Sequence, residues 1–296
     1  MHGRLEGAQG ATYGTTDIGD DRLSEVEVTA RQQKRRFGPA RRLILAAALV
    51  LILAVVGVLY AQARTERAHF LMVAADAVPG DPELLRYAMS HGPSAYAKHC
   101  ASCHGAHLQG DSTRAVPNLV DHDWLYGTGR VSEIEHVILY GIRSGNSRGW
   151  DLAHMPAFAS AHPYNLYALP SLGPDDIDAV TTYVLSFQHP QSDAAAVERG
   201  KRIFYDVARG NCIDCHGTDA KGDSAIGAPD LTDAIWLRGD GSRQSVADSI
   251  AYGLSGRCPA WIGELPPETI RALAVYVHNA AAKAGEKSLG GRTKLE

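Results

Sequence analysis

The chain has 296 residues, 45% of them hydrophobic and 21% charged, with a formal net charge of −4. This length and apolar content allow one large folded body or two ordinary ones, and exclude a wholly disordered chain. The mild acidity suits a cationic protein partner and excludes nucleic-acid binding that rests on a basic surface.

In chain order, residues 1–30 are polar with little periodicity and read as a disordered tail. Arg31, Lys34, Arg35, Arg36, Arg41 and Arg42 then cluster ahead of LILAAALVLILAVVGVLYA, residues 43–61, a run without charge or proline. At 1.5 Å per residue that run is roughly 28 Å long, about the thickness of a hydrocarbon core. The basic cluster makes 1–42 a cytoplasmic tail and 43–61 a transmembrane anchor, with the remainder exported. Charge divides the same way, net +2 over residues 1–63 and net −6 over 64–296. Ala61-Gln62-Ala63 has the form of a signal-peptide cleavage site, but the preceding region is too long for a usual leader, which favours an uncleaved anchor.

The exported part contains an internal repeat. CASCHG begins at Cys100 and CIDCHG at Cys212. Counted from His104 and His216, Gly110-Asp111 matches Gly222-Asp223, Pro117 matches Pro229, Trp124 matches Trp236, and Tyr140-Gly141 matches Tyr252-Gly253, all without a gap. The first copy then inserts nine residues, after which Met155-Pro-Ala-Phe158 lies opposite Cys258-Pro-Ala-Trp261. Each copy ends in an expected helix: Ile177, Val180 and Val184 repeat at helical spacing after Pro174, and Ile270, Leu273 and Val277 after Pro267. A middle helix is expected from Ser132, where Ser-x-x-Glu135 resembles a capping box, with a counterpart near residues 245–254. Residues 190–196 have linker composition. Strand signals are scarce, so the expected fold is all-α, with exported domains at 62–190 and 191–296.

Cys-x-x-Cys-His is the attachment signal for c-type haem. Two thiols three positions apart can form thioethers to the porphyrin edge, and the next imidazole can reach the iron from one face. A redox dithiol has no need of the histidine, and a zinc site needs further ligands at short spacing. Two covalently bound haem c groups are therefore expected, on Cys100, Cys103 and His104, and on Cys212, Cys215 and His216. For the sixth iron position the candidate in the first copy is Met155, followed by Pro156; His154 and His162 are its rivals. Trp124 and Trp236 are expected against the haem or its propionates. The remaining histidines, His99 and His122 among them, read as surface or structural side chains.

The pattern Tyr96-x-x-x-Cys-x-x-Cys-His-Gly, with PNLVDHDWLYG (117–127), YGIRSG (140–145), HMPAF (154–158), GAPDLTDAIWLRG (227–239) and LAVYVHNA (273–280), resembles the dihaem subunit III of cbb(3)-type cytochrome c oxidases. The similarity runs from about Tyr96 to Ala280. It implies two tandem class I cytochrome c domains behind one membrane helix in a bacterial inner membrane, haems on the periplasmic side. It also implies one-electron transfer from a soluble cytochrome c or bc1 complex to the other subunits of a haem-copper oxidase, with no substrate chemistry of the chain's own. Carried over by motif, Cys100, Cys103, His104 and Met155 would hold one haem and Cys212, Cys215 and His216 the other. Two departures stand out: the segment before the anchor lacks the family's aromatic, Asn-Pro-rich stretch, and Cys258 stands where the family has methionine.

Three fates are open to Cys258: thiolate ligand of the second haem, neutral thiol beside an open iron site, or bystander to a replacement ligand such as histidine. A thiolate would stabilise Fe(III) and lower the potential. Two further classes share the residues: a free-standing dihaem carrier, and a His/Cys-ligated dihaem enzyme of sulfur-compound oxidation.

Overall fold

The computed structural model describes residues 20–121, 123–164, 167–189 and 193–292. His122, residues 1–19 of the expected tail and residues 190–192 of the expected linker lie outside them, as does the His162 side chain. Helix α1 runs from Asp20 to Met72. Its start at Asp20 corrects the reading of 1–30 as a disordered tail over 20–30. Ala40–Met72 is long and apolar enough to cross a membrane, and none of its most apolar window is buried against protein.

Arg67–Glu296 forms one compact unit. Its helices are α2 (Pro82–His99), α3 (Ala101–His104), α4 (Val131–Tyr140), α5 (Pro174–Ser186), α6 (Ala194–Tyr205), α7 (Ile213–His216), α8 (Arg243–Tyr252) and α9 (Pro267–Arg292). The fold is helical as expected. The one paired sheet among the described residues is a hairpin of β1 (His162–Tyr164) and β2 (Tyr167–Leu169), between Phe158 and Pro174, where the chain is longer than between Trp261 and Pro267 in the second copy.

The expected helix starts at Pro174 and Pro267 hold, because proline presets φ and has no N–H to leave unpaired. The start of α4 works differently from the expected box. The Ser132 hydroxyl donates to Asp76, and the Glu133 carboxylate accepts the Thr128 and Arg130 N–H groups. Glu135 instead takes the Arg271 guanidinium, which also donates to the carbonyls of Phe70, Leu71 and Val73 at the end of α1. Arg271 thereby satisfies acceptors that a helix terminus leaves open.

The two halves of the repeat exchange their last helices. One core joins Leu84, Ala88 and Tyr96 of α2 and Ile134 of α4 to Ala272, Leu273, Val275 and Val277 of α9. The other joins Ile203 of α6 and Val246 and Ile250 of α8 to Ile177, Val180 and Val184 of α5. Helix α9 thus completes the module of the first Cys-x-x-Cys-His motif, and α5 that of the second. Small residues permit both crossings. A Cβ on Gly92 would lie 2.6 Å from the Ala272 carbonyl oxygen, and one on Gly200 would lie 2.0 Å from that of Ala179. Beside each crossing an aromatic pair packs, Tyr96 with Tyr276 at 5.5 Å and Phe204 with Tyr183 at 5.3 Å between centroids.

The candidate haem-binding site

Each motif folds as one helical turn. The His104 N–H donates to the Cys100 carbonyl at 3.0 Å, and that of His216 to the Cys212 carbonyl at 2.9 Å. The chain then doubles back through a turn built on aspartate. The Asp111 carboxylate accepts the Thr113 N–H at 3.0 Å, as the Asp223 carboxylate accepts the Ala225 N–H at 2.8 Å. Backbone pairing of Asp111 with Val116, and of Asp223 with Ala228, brings the following prolines beside the histidines. His104 Nδ1 lies 3.2 Å from the Pro117 carbonyl oxygen, and His216 Nδ1 lies 3.1 Å from that of Pro229. A carbonyl can only accept, so Nδ1 carries the proton and Nε2 keeps its lone pair. Burial holds both imidazoles below the usual histidine range, with the proline carbonyls opposing. Both are therefore neutral at pH 7, the state a metal ligand needs.

A single cavity of about 900 Å³ is lined by Cys100, Cys103, His104, Met155, Cys212, Cys215, His216 and Cys258 together. Its walls include Leu119, Ile134, Val137, Ile138, Leu231, Val246 and Ile250, with Trp124 and Trp236 in matching positions. His154 also lines it but is exposed. His99, half-buried, lines it too and stands edge-on to Trp261, so it is more than a surface residue.

The two candidate sulfur donors are exchanged between modules, like the helices that follow them. The Met155 and Leu254 backbones each donate to the other, at 3.1 and 3.0 Å, and Met155 packs with the core that holds Cys212, Leu231 and Trp236. Cys258 pairs with Ile142 in the same way, at 3.0 and 2.9 Å. The expectation set Met155 with His104 and Cys258 with His216, whereas the backbone of each donor segment packs on the other half of the repeat. The spacing from His104 to Met155 is compatible with either partner, and each donor segment adds an edge to the other half's middle helix. Phe158 and Ala159 donate to carbonyls of α8 as Trp261 and Ile262 donate to those of α4, each at 3.0 Å. Two loop contacts complete an approximate twofold relation: the Gly127 N–H donates to the Ser224 carbonyl at 3.2 Å, and that of Gly239 to the Ser112 carbonyl at 3.0 Å.

All five cysteines are free thiols. Burial pushes Cys100 and Cys258 up to about 11 and Cys212 up to about 12, so they are protonated at neutral pH in the protein alone. Among the described residues no group of three or more His, Cys, Asp or Glu side chains is placed to hold a metal ion. The donor set does fit a haem: two thiols and a neutral imidazole per motif, a sulfur available to each module, and an apolar cavity between.

Two functional candidates escaped the sequence reading. Arg143 lines the cavity and donates to Tyr126 Oη at 2.9 Å, the Ala153 carbonyl at 2.9 Å and the Gly256 carbonyl at 2.5 Å. No carboxylate pairs with it among the described residues. The repeat offered a signal, since Ser255 stands in the equivalent place and only the first copy has a cation there. The other is Asp123, whose carboxyl burial pushes up to about 6, with Asp233, Asp121 and Asp230 adding to the rise.

A helical fold with a haem-attachment motif in each half, both set around one apolar cavity, defines a c-type cytochrome. A cytochrome c family profile matches residues 89–188, and one described as cytochrome c oxidase, cbb3-type, subunit III, matches residues 195–277. The chain belongs to the family of subunit III of cbb3-type cytochrome c oxidases. It is 37% identical over 199 residues to the FixP subunit of Rhizobium meliloti (strain 1021), covering 67% of this chain and 63% of that one. To the CcoP subunit of Cereibacter sphaeroides it is 37% identical over 202 residues, 68% of this chain and 64% of the relative. To CcoP of Azospirillum sp. (strain B510) it is 38% identical over 230 residues, 74% and 72% respectively. The alignment thus spans a little under two thirds of the first two relatives.

Proposed function

We propose that this chain is a membrane-anchored dihaem cytochrome that passes single electrons toward the other subunits of a haem-copper oxidase. The donor is a soluble cytochrome c or bc1 complex. One observation carries the reading: both attachment motifs and both candidate sulfur donors line the same cavity. Haem supplies reversible one-electron chemistry at iron when bound; the protein's part is to hold, orient and insulate it. Cys100 with Cys103, and Cys212 with Cys215, are the attachment thiols. His104 and His216 present Nε2, with their tautomers set by Pro117 and Pro229. The Arg143 guanidinium, unpaired with any described carboxylate, suits a propionate. The basic cluster before residue 43 supports a cytoplasmic N-terminus and periplasmic haem modules in a bacterial inner membrane.

The test is purification from a bacterium with a c-haem maturation system. Two haems per chain and a haem-copper subunit in the same complex are expected. A lone dihaem protein would favour a free carrier, and fewer than two haems would overturn the reading.

Asp123 adds a pH dependence. Its carboxyl is neutral below about pH 6 and gains a negative charge above it, in the wall of the cavity. Negative charge favours Fe(III), so the potential falls as pH rises from 5 to 7. The expected drop is a few tens of millivolts, on the order of 1 kcal/mol at an effective dielectric near 20. In Asp123→Asn the slope disappears, as a redox titration at several pH values checks.

A further inference from the structure

We propose that Cys258 is the sixth ligand, supplied across the module boundary, of the haem iron whose fifth ligand is His104, while Met155 is the sixth ligand of the iron held by His216. The inference rests on the dihaem reading above and assigns its two centres different chemistry.

Three observations carry it. Cys258 lines the cavity that both motifs share, and its backbone is fixed to Ile142, just after α4 of the first module. Met155 stands in the related position in the other module, fixed to Leu254. The relation is a repeated construction: Ile142 and Leu254 occupy the same place in the two copies, and Trp261 and Phe158 reach the carbonyls of Ile138 and Ile250, again equivalent residues. Whatever Met155 offers to the second motif, Cys258 therefore offers to the first. The rivals are poorly placed. His154 is exposed, and His99, next to Cys100 on the chain, has its ring edge-on to Trp261.

On ligation the Sγ–H proton leaves to solvent and an Fe–S bond forms. An anionic sulfur favours Fe(III), whereas thioether sulfur with histidine raises the potential. The first-motif centre is then the stronger reductant of the pair. With haem bound at both motifs, one electron passing between the centres would oxidise the first-motif iron from Fe(II) to Fe(III) and reduce the second-motif iron from Fe(III) to Fe(II). Within the chain, electrons run from the His104 centre to the His216 centre. A single residue difference between two otherwise matched modules gives the conduit its direction.

The experiment uses the full chain with its haems counted by mass. Paramagnetic resonance of the oxidised protein is expected to show two low-spin signals of equal weight, one with the narrow spread of a thiolate and one of His/Met type. In Cys258→Met the narrow signal gives way to a second His/Met signal. The equilibrium constant for reducing that centre rises at least a hundredfold, or about 120 mV at 59 mV per tenfold. Placement is read without mutation by proton resonance of the reduced protein, where the ligating Met155 methyl is expected to cross-relax with Trp236 and Leu231. Cross-relaxation with Trp124 and Leu119 instead would overturn the exchange. With two haems bound, absence of a thiolate signal, or its persistence in Cys258→Met, would overturn the ligation while leaving the dihaem reading intact. Fewer than two haems would sink both.

Discussion

A chain ending after His189, although it holds a complete copy of the repeat by sequence, is expected not to fold as a cytochrome. The core around the first motif is closed by α9, where Ala272, Leu273, Ala274 and Val275 are all 0% exposed. Burying one such aliphatic side chain contributes about 1.5–3 kcal/mol. Losing Ile270, Leu273, Val275 and Val277 together therefore removes a stabilisation comparable to the roughly 5–15 kcal/mol that holds an ordinary domain. Helix α5 cannot stand in within the same chain, because its buried face is shaped to α6 and α8. Circular dichroism and haem content of the fragment check this. A folded fragment with one stoichiometric haem would show that the helix exchange is dispensable. Adding residues 193–296 as a separate chain is expected to restore folding, since each fragment carries the helix the other lacks.

Replacing Met155 by histidine is expected to change the potential of the centre at His216, not the one at His104. Thioether ligation lies toward the high end of the roughly 0.8 V that axial ligands span, and imidazole is the stronger donor to Fe(III). A fall on the order of 0.2 V is expected, or roughly 5 kcal/mol at 59 mV per tenfold. Met155 packs against the same core as Trp236 and Leu231, so spectral changes are expected in the second module. A spectroelectrochemical titration that resolves the two centres checks both size and location. If the shifted centre is the one attached at Cys100 and Cys103, the cross-module assignment fails.

The two predictions share one cause. The repeat in sequence and the modules in space have different boundaries. Sequence divides the exported part near residue 190, while packing gives α5 and the Met155 segment to the second motif, and α9 and the Cys258 segment to the first. Consequently the halves are interdependent, and a substitution in the last helix of one copy is expected to disturb the core around the other copy's motif. Leu273, near the end of the chain, lines the cavity beside the first motif's core.

Much was legible from residues alone because it is encoded locally. The charge-free run at 43–61, the prolines opening α5 and α9, and the spacing of Cys100, Cys103 and His104 each state their chemistry within a few positions. The gapless match of Gly110-Asp111 and Pro117 with Gly222-Asp223 and Pro229 was visible too. Its purpose became clear only in three dimensions, where the aspartate turn delivers a proline carbonyl to each imidazole. The helix over 20–30, the Ser132–Asp76 bond at the start of α4 and the cavity position of Arg143 were not legible, since each depends on distant partners or on competition between local and tertiary contacts.

By itself, then, the sequence determined a helix long and apolar enough for an anchor and two haem-attachment motifs in a repeat. Only the tertiary structure decided which segment packs against which half. Helical periodicity specifies a buried face without specifying its partner, and in a duplicated chain two nearly equivalent partners are available. The choice falls to contacts between residues far apart in sequence, such as the seat of α9 on Gly92 and of α5 on Gly200.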